Sequence, residues 1–335
     1  SFGKNLDQKA VIIPCSDNSV HIISLYRKEL EKFYNIILPE HKILELFMNK
    51  EKFYKYCQLN GFPIPPTFFP RNESDLENIV DNINFPCVIK PSRADNRWWE
   101  FYTEKVLQVE NPKQLHDLYN QSLRATDDPM VQEWILGGDS NLNSCTFYYN
   151  GKYEPVITYT SRKLRQWPVD NGDICLGEEI RNDTLAEYAV KLMSSVKFCN
   201  VGSLEMKKND RDGQYYMMEV NVCRLPMRFQ ILEAGGVELL YTMYSEAAGI
   251  PVDTNTTQQY KGAKWIALHN DILASWSYHK RGKLSFIDWI HSLKGINSFA
   301  VTSVRDPLPS IIDAKALVAR ALRFIERKIA SLLSR

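Results

Sequence analysis

The chain has no uninterrupted apolar run approaching the ~20 residues needed to cross a bilayer, and no secretory signal. A spanning helix is therefore not expected. Nor does one sign of charge dominate: 41 Lys and Arg against 40 Asp and Glu leave a formal net charge of +1. So balanced a chain has no global field to recruit nucleic acid or an acidic polymer, and neither is expected as a partner. The seven cysteines, from Cys15 to Cys223, form no C-x-x-C pair and lack companion histidine spacing, which argues against a zinc centre or a disulfide framework. Several stand inside apolar runs, where a free thiol acts as a small hydrophobe, so a reducing, cytoplasmic setting is expected. The six histidines fall in no motif and support neither a Ser-His-Asp nor a Cys-His nucleophile. Glycine and proline are few, and internal repeats and low-complexity tracts are missing. The chain begins at Ser1 without a methionine, so a targeting segment trimmed from its start would leave no trace.

What is present is an ordinary globular composition, 44% hydrophobic and 24% charged, over 335 residues. That length exceeds one compact core and predicts two or three subdomains. Residues 10–14 read as a short buried strand and 36–38 as a second, with a helical pattern between them. This pattern fits the end of an open α/β unit, consistent with truncation. Asn49 precedes a helix from Lys50 to about Asn60, stopped by Gly61, and the proline-rich stretch 61–70 reads as a linker. Strands are expected at 85–91, 105–109 and 130–136, and Asn111-Pro112 opens a helix. A hairpin covers 144–149 and 153–160 around Asn150-Gly151. Then come a helix over 182–198, a strand pair at 201–207 and 215–220, and a helix over 232–248. A last, amphipathic helix is expected over about 310–333.

Three places carry chemistry. Glu205 lies in one strand of the later pair, Glu219 and Asn221 at the end of the other. Residues two apart on a strand share a face, so Glu219 and Asn221 point together and Glu205 can join them. Two carboxylates and an amide oxygen make a hard-oxygen set suited to Mg²⁺ shared with phosphates. Acidic pairs on a sheet face are more often merely solvated, so the set alone leaves both readings open. Lys90 ends an apolar strand where a cation can face a cleft, although most such lysines are surface residues. Gln132, Glu133, Trp134, Ile135 and Leu136 run into a Gly137-Gly138 break with Asp139 behind it. Such a break could offer backbone groups to a base and a carboxylate to a ribose, while an ordinary strand and turn is the simpler reading of that stretch alone.

Their order carries more weight than any one of them. NKEKFYKYC, FPCVIKPS, VQEWILGGD, RKLRQWPVDNG, VGSLEMKKND and YYMMEVN come in one succession. Through these strings the chain, from Cys15 to about Gly249, resembles the ATP-grasp superfamily in its carbamoyl-phosphate-synthase-like branch. The resemblance implies an α/β (α+β) ATP-grasp fold: residues 1–60 as an N-terminal subdomain, 61–138 as a small lid, 139–260 as a large subdomain with the metal site, and 261–335 as an extension. It implies that Lys50 and Lys90 hold ATP phosphates. Residues 132–136 would bind adenine through backbone groups of Trp134 and Leu136, with Glu133 beside them, and Asp139 would take the ribose. Glu205, Glu219 and Asn221 would hold Mg²⁺, with Mn²⁺ as a substitute. The implied activity forms an amide from a small-molecule carboxylate and an amine through an acyl-phosphate, with an amino acid as one substrate.

Two features depart from the family pattern. The family's second metal strand continues E-x-N-P-R, whereas here Val222, Cys223 and Arg224 follow Asn221, placing the arginine one position late. A regular strand would flip it to the other face, so either a bulge returns Arg224 or Arg228 takes its role. The loop after Lys90 contains no glycine, and Arg93 or Arg97 could supply its charge. The basic run 161–168 lies where an acyl-phosphate or acidic substrate is expected, with Arg165 the preferred contact; a solvated basic loop fits equally. The apolar stripe Leu317, Leu322, Ile325, Ile329 and Leu332 is expected to pack on the protein's own body, with membrane-surface contact the alternative. Beside the ligase, an ATP-grasp kinase, a thiol ligase and a non-catalytic nucleotide-binding or assembly protein stay open.

Overall fold

The computed structural model describes residues 2–93, 96–303, 306–312 and 315. Near the N-terminus β1 (Ala10–Val11) pairs in parallel with β2 (Tyr34–Asn35), around α1 (Asp17–Leu25) and α2 (Arg27–Leu30). Ser16 and Ser19 cap α1 reciprocally, satisfying two backbone donors that the first helical turn leaves open. The second strand precedes the apolar run 36–38 instead of containing it. That run leaves the sheet and drops Leu38 into a core built on α3 (His41–Met48) and α4 (Lys50–Leu59). Asn49 caps α4 by accepting from the Lys52 amide, which fixes where Lys50 leaves the helix end.

The linker is stitched to both of the larger sheets. The Pro63 carbonyl accepts from the Met217 amide at 2.8 Å and the Pro66 carbonyl from the Glu133 amide at 2.9 Å. Beyond it come β3 (Thr67–Phe68), α5 (Glu73–Val80), β4 (Cys87–Pro91), α6 (Trp98–Phe101), β5 (Leu107–Val109), α7 (Pro112–Ser122) and β6 (Pro129–Glu133). The four strands pair antiparallel in the order β3-β6-β4-β5. Leu76 and Ile79 of α5 and Leu115 of α7 cover one face, packing on Ile89, Val109 and Val131. Strand alternation therefore leaves Val88, Lys90 and Gln132 on the open face.

The large sheet comprises β7 (Leu142–Tyr149), β8 (Pro155–Trp167), β9 (Asp173–Glu179), β10 (Asn200–Lys208), β11 (Tyr215–Val222), β12 (Lys264–Ile266) and β13 (Ser298–Phe299), in the order β11-β10-β7-β8-β9-β12-β13. Its helices are α8 (Asp183–Ser194), α9 (Gln230–Ala234), α10 (Leu239–Ala248), α11 (Leu268–Lys280) and α12 (Phe286–Ser292). Cys145, Phe147, Leu204 and Met206 face α3, α4 and α8 in a core with Phe47, Phe53 and Leu192. Tyr148, Ile157, Tyr159 and Val201 face α9 and α10 in another. On that second face β10 turns polar: Ser203, Glu205 and Lys207 follow Val201 at a period of two.

Two expectations about the elements need correction, and a third lies beyond the described residues. The basic run lies inside β8, which extends far beyond the expected hairpin because β9, unforeseen, pairs with it. The helix expected over 232–248 is two helices, α9 and α10, broken at Gly235-Gly236. Gly236 sits at φ +85°, and a Cβ on Gly235 would meet the Tyr159 hydroxyl at 2.6 Å. The amphipathic stretch 310–333 falls almost entirely outside the described residues, and among those described no helix is long and apolar enough to cross a membrane.

Candidate active site

The polar end of the large sheet faces the open side of the small one across a cavity of about 290 Å³. Val88, Trp134, Ile135, Leu142 and Met218 give it apolar walls, and residues 170–173, at the turn from β8 into β9, line it as well. Lys105, beside β5, reaches that loop and donates to Asp173 Oδ1 at 3.0 Å. A second chamber of about 250 Å³ shares Lys90, Lys105, Asn171 and Glu219 with the first. Lys50, Lys90, Arg93 and Lys105 line this chamber with a single carboxylate, Glu219, an excess of positive charge suited to a polyanion.

Lys90 reaches the cleft because Cys87 and Ile89 take the core side of β4. Its ammonium donates to Gln132 Oε1 at 2.9 Å and lies 5.6 Å from the Tyr54 ring centre. The Gln132 amide in turn donates to Thr67 Oγ1 at 2.7 Å, so the acceptor is held from behind. Desolvation, reinforced by Lys50 and opposed by Glu219, pushes the Lys90 pKa down to about 7.

Glu205 and Glu219 stand directly opposite each other on β10 and β11, as do Ser203 and Asn221. A bulge at Met218 lets Met217 and Val220 both enter the core while Glu219 and Asn221 keep the cleft face. Burial alone would raise the Glu205 pKa, but Lys163 at 3.1 Å and Arg228 at 3.4 Å hold it down to about 2. Glu219 is exposed. Two carboxylates and an amide oxygen on one sheet face fit a hard dication shared with phosphate. Lys163, Arg228 and Arg224 already engage Glu205 and Asn221, so such an ion enters in competition with side-chain cations.

Both arginines left open by the sequence reach this place. Cys223 is buried at φ +59°, its amide bonded to the Val201 carbonyl at 2.7 Å. That one left-handed residue returns Arg224 to the cleft, where it donates to Asn221 Oδ1 and, at 2.8 Å, to Asp17 Oδ1. Arg228, 7% exposed, donates to Ser203 Oγ at 3.2 Å and to Glu205, and its buried Nε has no partner among the described residues.

The stretch 132–136 is strand only as far as Glu133. The Glu133 carboxylate accepts from Asn84 at 3.0 Å and Arg211 at 3.3 Å. The Trp134 amide donates to the Pro86 carbonyl at 3.1 Å, whereas that of Leu136 donates to no described residue. For an adenine, Trp134 thus has a carbonyl to offer and Leu136 an amide.

Two expected site residues lie elsewhere. Asp139 does not line the cavity; its carboxylate accepts from the Gln166 side chain at 2.8 Å, the Gln166 amide at 3.2 Å and the Tyr278 hydroxyl. Burial raises its pKa against those bonds, and the ribose role expected for it does not fit this position. Arg165 also turns away. It pairs with Asp271 at 2.7 and 3.1 Å and donates to Ser292 at 2.8 Å, because register shifts on both sides of it in β8 rotate it towards α11. The same shifts deliver Lys163 and Gln166 to the cleft. Neither Lys163 nor Lys207 is among the site residues expected from the sequence. Lys207 has a signal there, standing two residues from Glu205 on the same strand; its ammonium lies 4.9 Å from the Trp134 ring centre, and desolvation lowers its pKa.

No family model matches the chain. It is 21% identical over 226 residues to the D-aspartate ligase of Enterococcus faecium, covering 64% of this chain and 53% of that one. In structure it is similar to biotin carboxylase from Campylobacter jejuni, with a TM-score of 0.60 at 16% identity over 73% of this chain and 55% of that one. It is also similar to N5-carboxyaminoimidazole ribonucleotide synthetase from Thermus thermophilus, with a TM-score of 0.58 at 16% identity over 76% and 64%. The chain spans about half the length of the D-aspartate ligase it matches, 53%.

Proposed function

We propose that this chain, an ATP-grasp protein by fold, activates a carboxylate with ATP and joins it to an amine. The observation that carries this reading is the opposition of Glu205 and Glu219 in the cleft where Lys50 and Lys90 converge. Lys50, Lys90 and Arg93 take the phosphates, and the Trp134 carbonyl with the Leu136 amide takes the base. Glu205, Glu219 and Asn221 would hold magnesium, which would compensate charge on the phosphates. A carboxylate oxygen of the substrate attacks the γ-phosphorus; the bond to the β–γ bridging oxygen breaks and ADP leaves. An amine then attacks the acyl carbon, phosphate departs and the amide remains. Arg224 and Arg228 orient anionic oxygens at this point. The loop 170–173 keeps water from the activated acyl group. The similarity to D-aspartate ligase supports an amino acid as one substrate.

The test is free-phosphate release from Mg-ATP by purified protein supplied with pools of amino acids and small carboxylates. Release that requires a carboxylate and an amine together is expected. A phosphorylated product without free phosphate would make the protein a kinase, a thiol as the sole effective acceptor would make it a thiol ligase, and no release from any pool would favour a protein that only binds nucleotide.

Lys90 adds a pH-dependent expectation. With its pKa at about 7, the Lys90 side chain is mostly the neutral amine at about pH 8, and a phosphate beside it draws a proton back. Nucleotide binding therefore takes up protons above neutrality and ceases to do so as the free protein becomes protonated below it. Calorimetric titration at about pH 8 in two buffers of different ionisation enthalpy reads this directly; equal heats in both would refute it.

A further inference from the structure

Outside the cleft, α1 and α3 bring His21, His41 and Glu45 together, one potential ligand atom of each lying within 4.8 Å of the others. His41 and Glu45 are one helical turn apart and share a face of α3. His21 Nδ1 stands 4.0 Å from Glu45 Oε1, and the two imidazole centres are 5.7 Å apart. The Ser24 hydroxyl lies 2.9 Å from His41 Nδ1 and orients the ring, as outer partners do in metal sites. Glu45 is divided between two tasks: Oε2 meets Lys52 at 3.2 Å and Arg93 at 3.5 Å, while Oε1 faces His21.

We propose that His21, His41 and Glu45 form a transition-metal site of the zinc class. Two imidazoles and one carboxylate are donors zinc prefers, whereas magnesium and calcium take oxygen, so this is not a second hard-cation site. Ligand atoms around tetrahedral zinc stand roughly 3.3 Å apart given bonds of about 2.0 Å. Closing the triad takes side-chain movements of about an ångström, from 4.0 Å between His21 and Glu45 and from no more than 4.8 Å between any two ligand atoms. Three protein ligands leave a fourth position for water or an exogenous group. The competing account is a His21–Glu45 ion pair with His41 as a neighbour, in which His41 contributes nothing to metal affinity.

The test is calorimetric zinc titration of the Cys15→Ser protein, which removes an exposed thiol, in excess Mg²⁺. One equivalent is expected to bind, with affinity falling more than ~10-fold in both His21→Ala and His41→Ala and unchanged in Glu219→Gln. Co²⁺ should give visible bands of a low-coordinate site that vanish in the same two variants. Metal-free thermal unfolding checks that each variant is folded, and His41→Gln serves if His41→Ala is not. Zinc affinity unaltered by either histidine change, affinity lost in Glu219→Gln, or no binding to the parent protein overturns the site.

Discussion

Glu219→Gln lowers substrate-dependent phosphate release by roughly 10²–10³-fold, the range seen when one preorganised charge-stabilising group is removed. The side chain is exposed, so the folded state does not depend on it and the unfolding temperature should stay put. The amide keeps the shape of the carboxylate but removes the charge opposite Glu205. Phosphoryl transfer relies on positioning and charge compensation far more than on covalent help, so the loss belongs to kcat. A coupled phosphate assay at saturating ATP measures it, with KM for ATP determined separately. A rate within a few-fold of the parent, in a protein of unchanged stability, would mean that the Glu205–Glu219 pair is not the reaction centre, and the ligase proposal would fall with it.

Asp271→Ala destabilises the protein by about 3–5 kcal/mol, the cost of stranding a buried charge. Asp271 is fully buried and Arg165 is 5% exposed, and the carboxylate also accepts from Trp289 Nε1 at 2.9 Å. Without it the guanidinium keeps only Ser292 among these partners. Urea unfolding of parent and variant gives the difference, and a paired Arg165→Met, Asp271→Leu protein should recover much of it. Arg165→Met alone separates the structural role from the substrate contact expected from sequence. Lost stability with unchanged kcat per folded molecule fits the geometry; lost kcat at full stability would return Arg165 to the reaction.

The carboxylate strands are legible in the sequence because β10 and β11 are adjacent and joined by a polar turn, and β11 is regular from Glu219 onward, so a period of two places Glu219 and Asn221 on one face with Glu205 opposite. Arg224 is not legible to the same degree. Its return depends on a left-handed backbone at Cys223, and no residue type there announces it, since glycine is the usual signal. Arg165 misleads for a related reason. A dense run of basic residues looks like a solvated loop until β9 supplies a partner strand, and the two register shifts that rotate Arg165 leave no mark in composition. Asp139 follows a glycine pair as a ribose ligand would, but its direction is decided by Tyr278. That residue lies on α11, in a region beyond the family resemblance.

The chain passes between the two sheets at neighbouring points, and each passage is anchored on both sides. Pro63 is tied to Met217 of β11 and Pro66 to Glu133 of β6, leaving only Ile64 and Pro65 between the anchors. Trp134 is tied to Pro86 and Leu136 to Asp210 in the turn after β10, leaving only Ile135. Two short spans side by side, one of them stiffened by proline, behave like paired hinge pins: they allow a swing about one axis and resist shear. The opposite margin is latched by the exposed Lys105–Asp173 pair, the weakest kind of ionic contact. A door hung this way would open at its Lys105 edge, beside the chamber lined by Lys50 and Lys90, while the Trp134–Leu136 edge would move least.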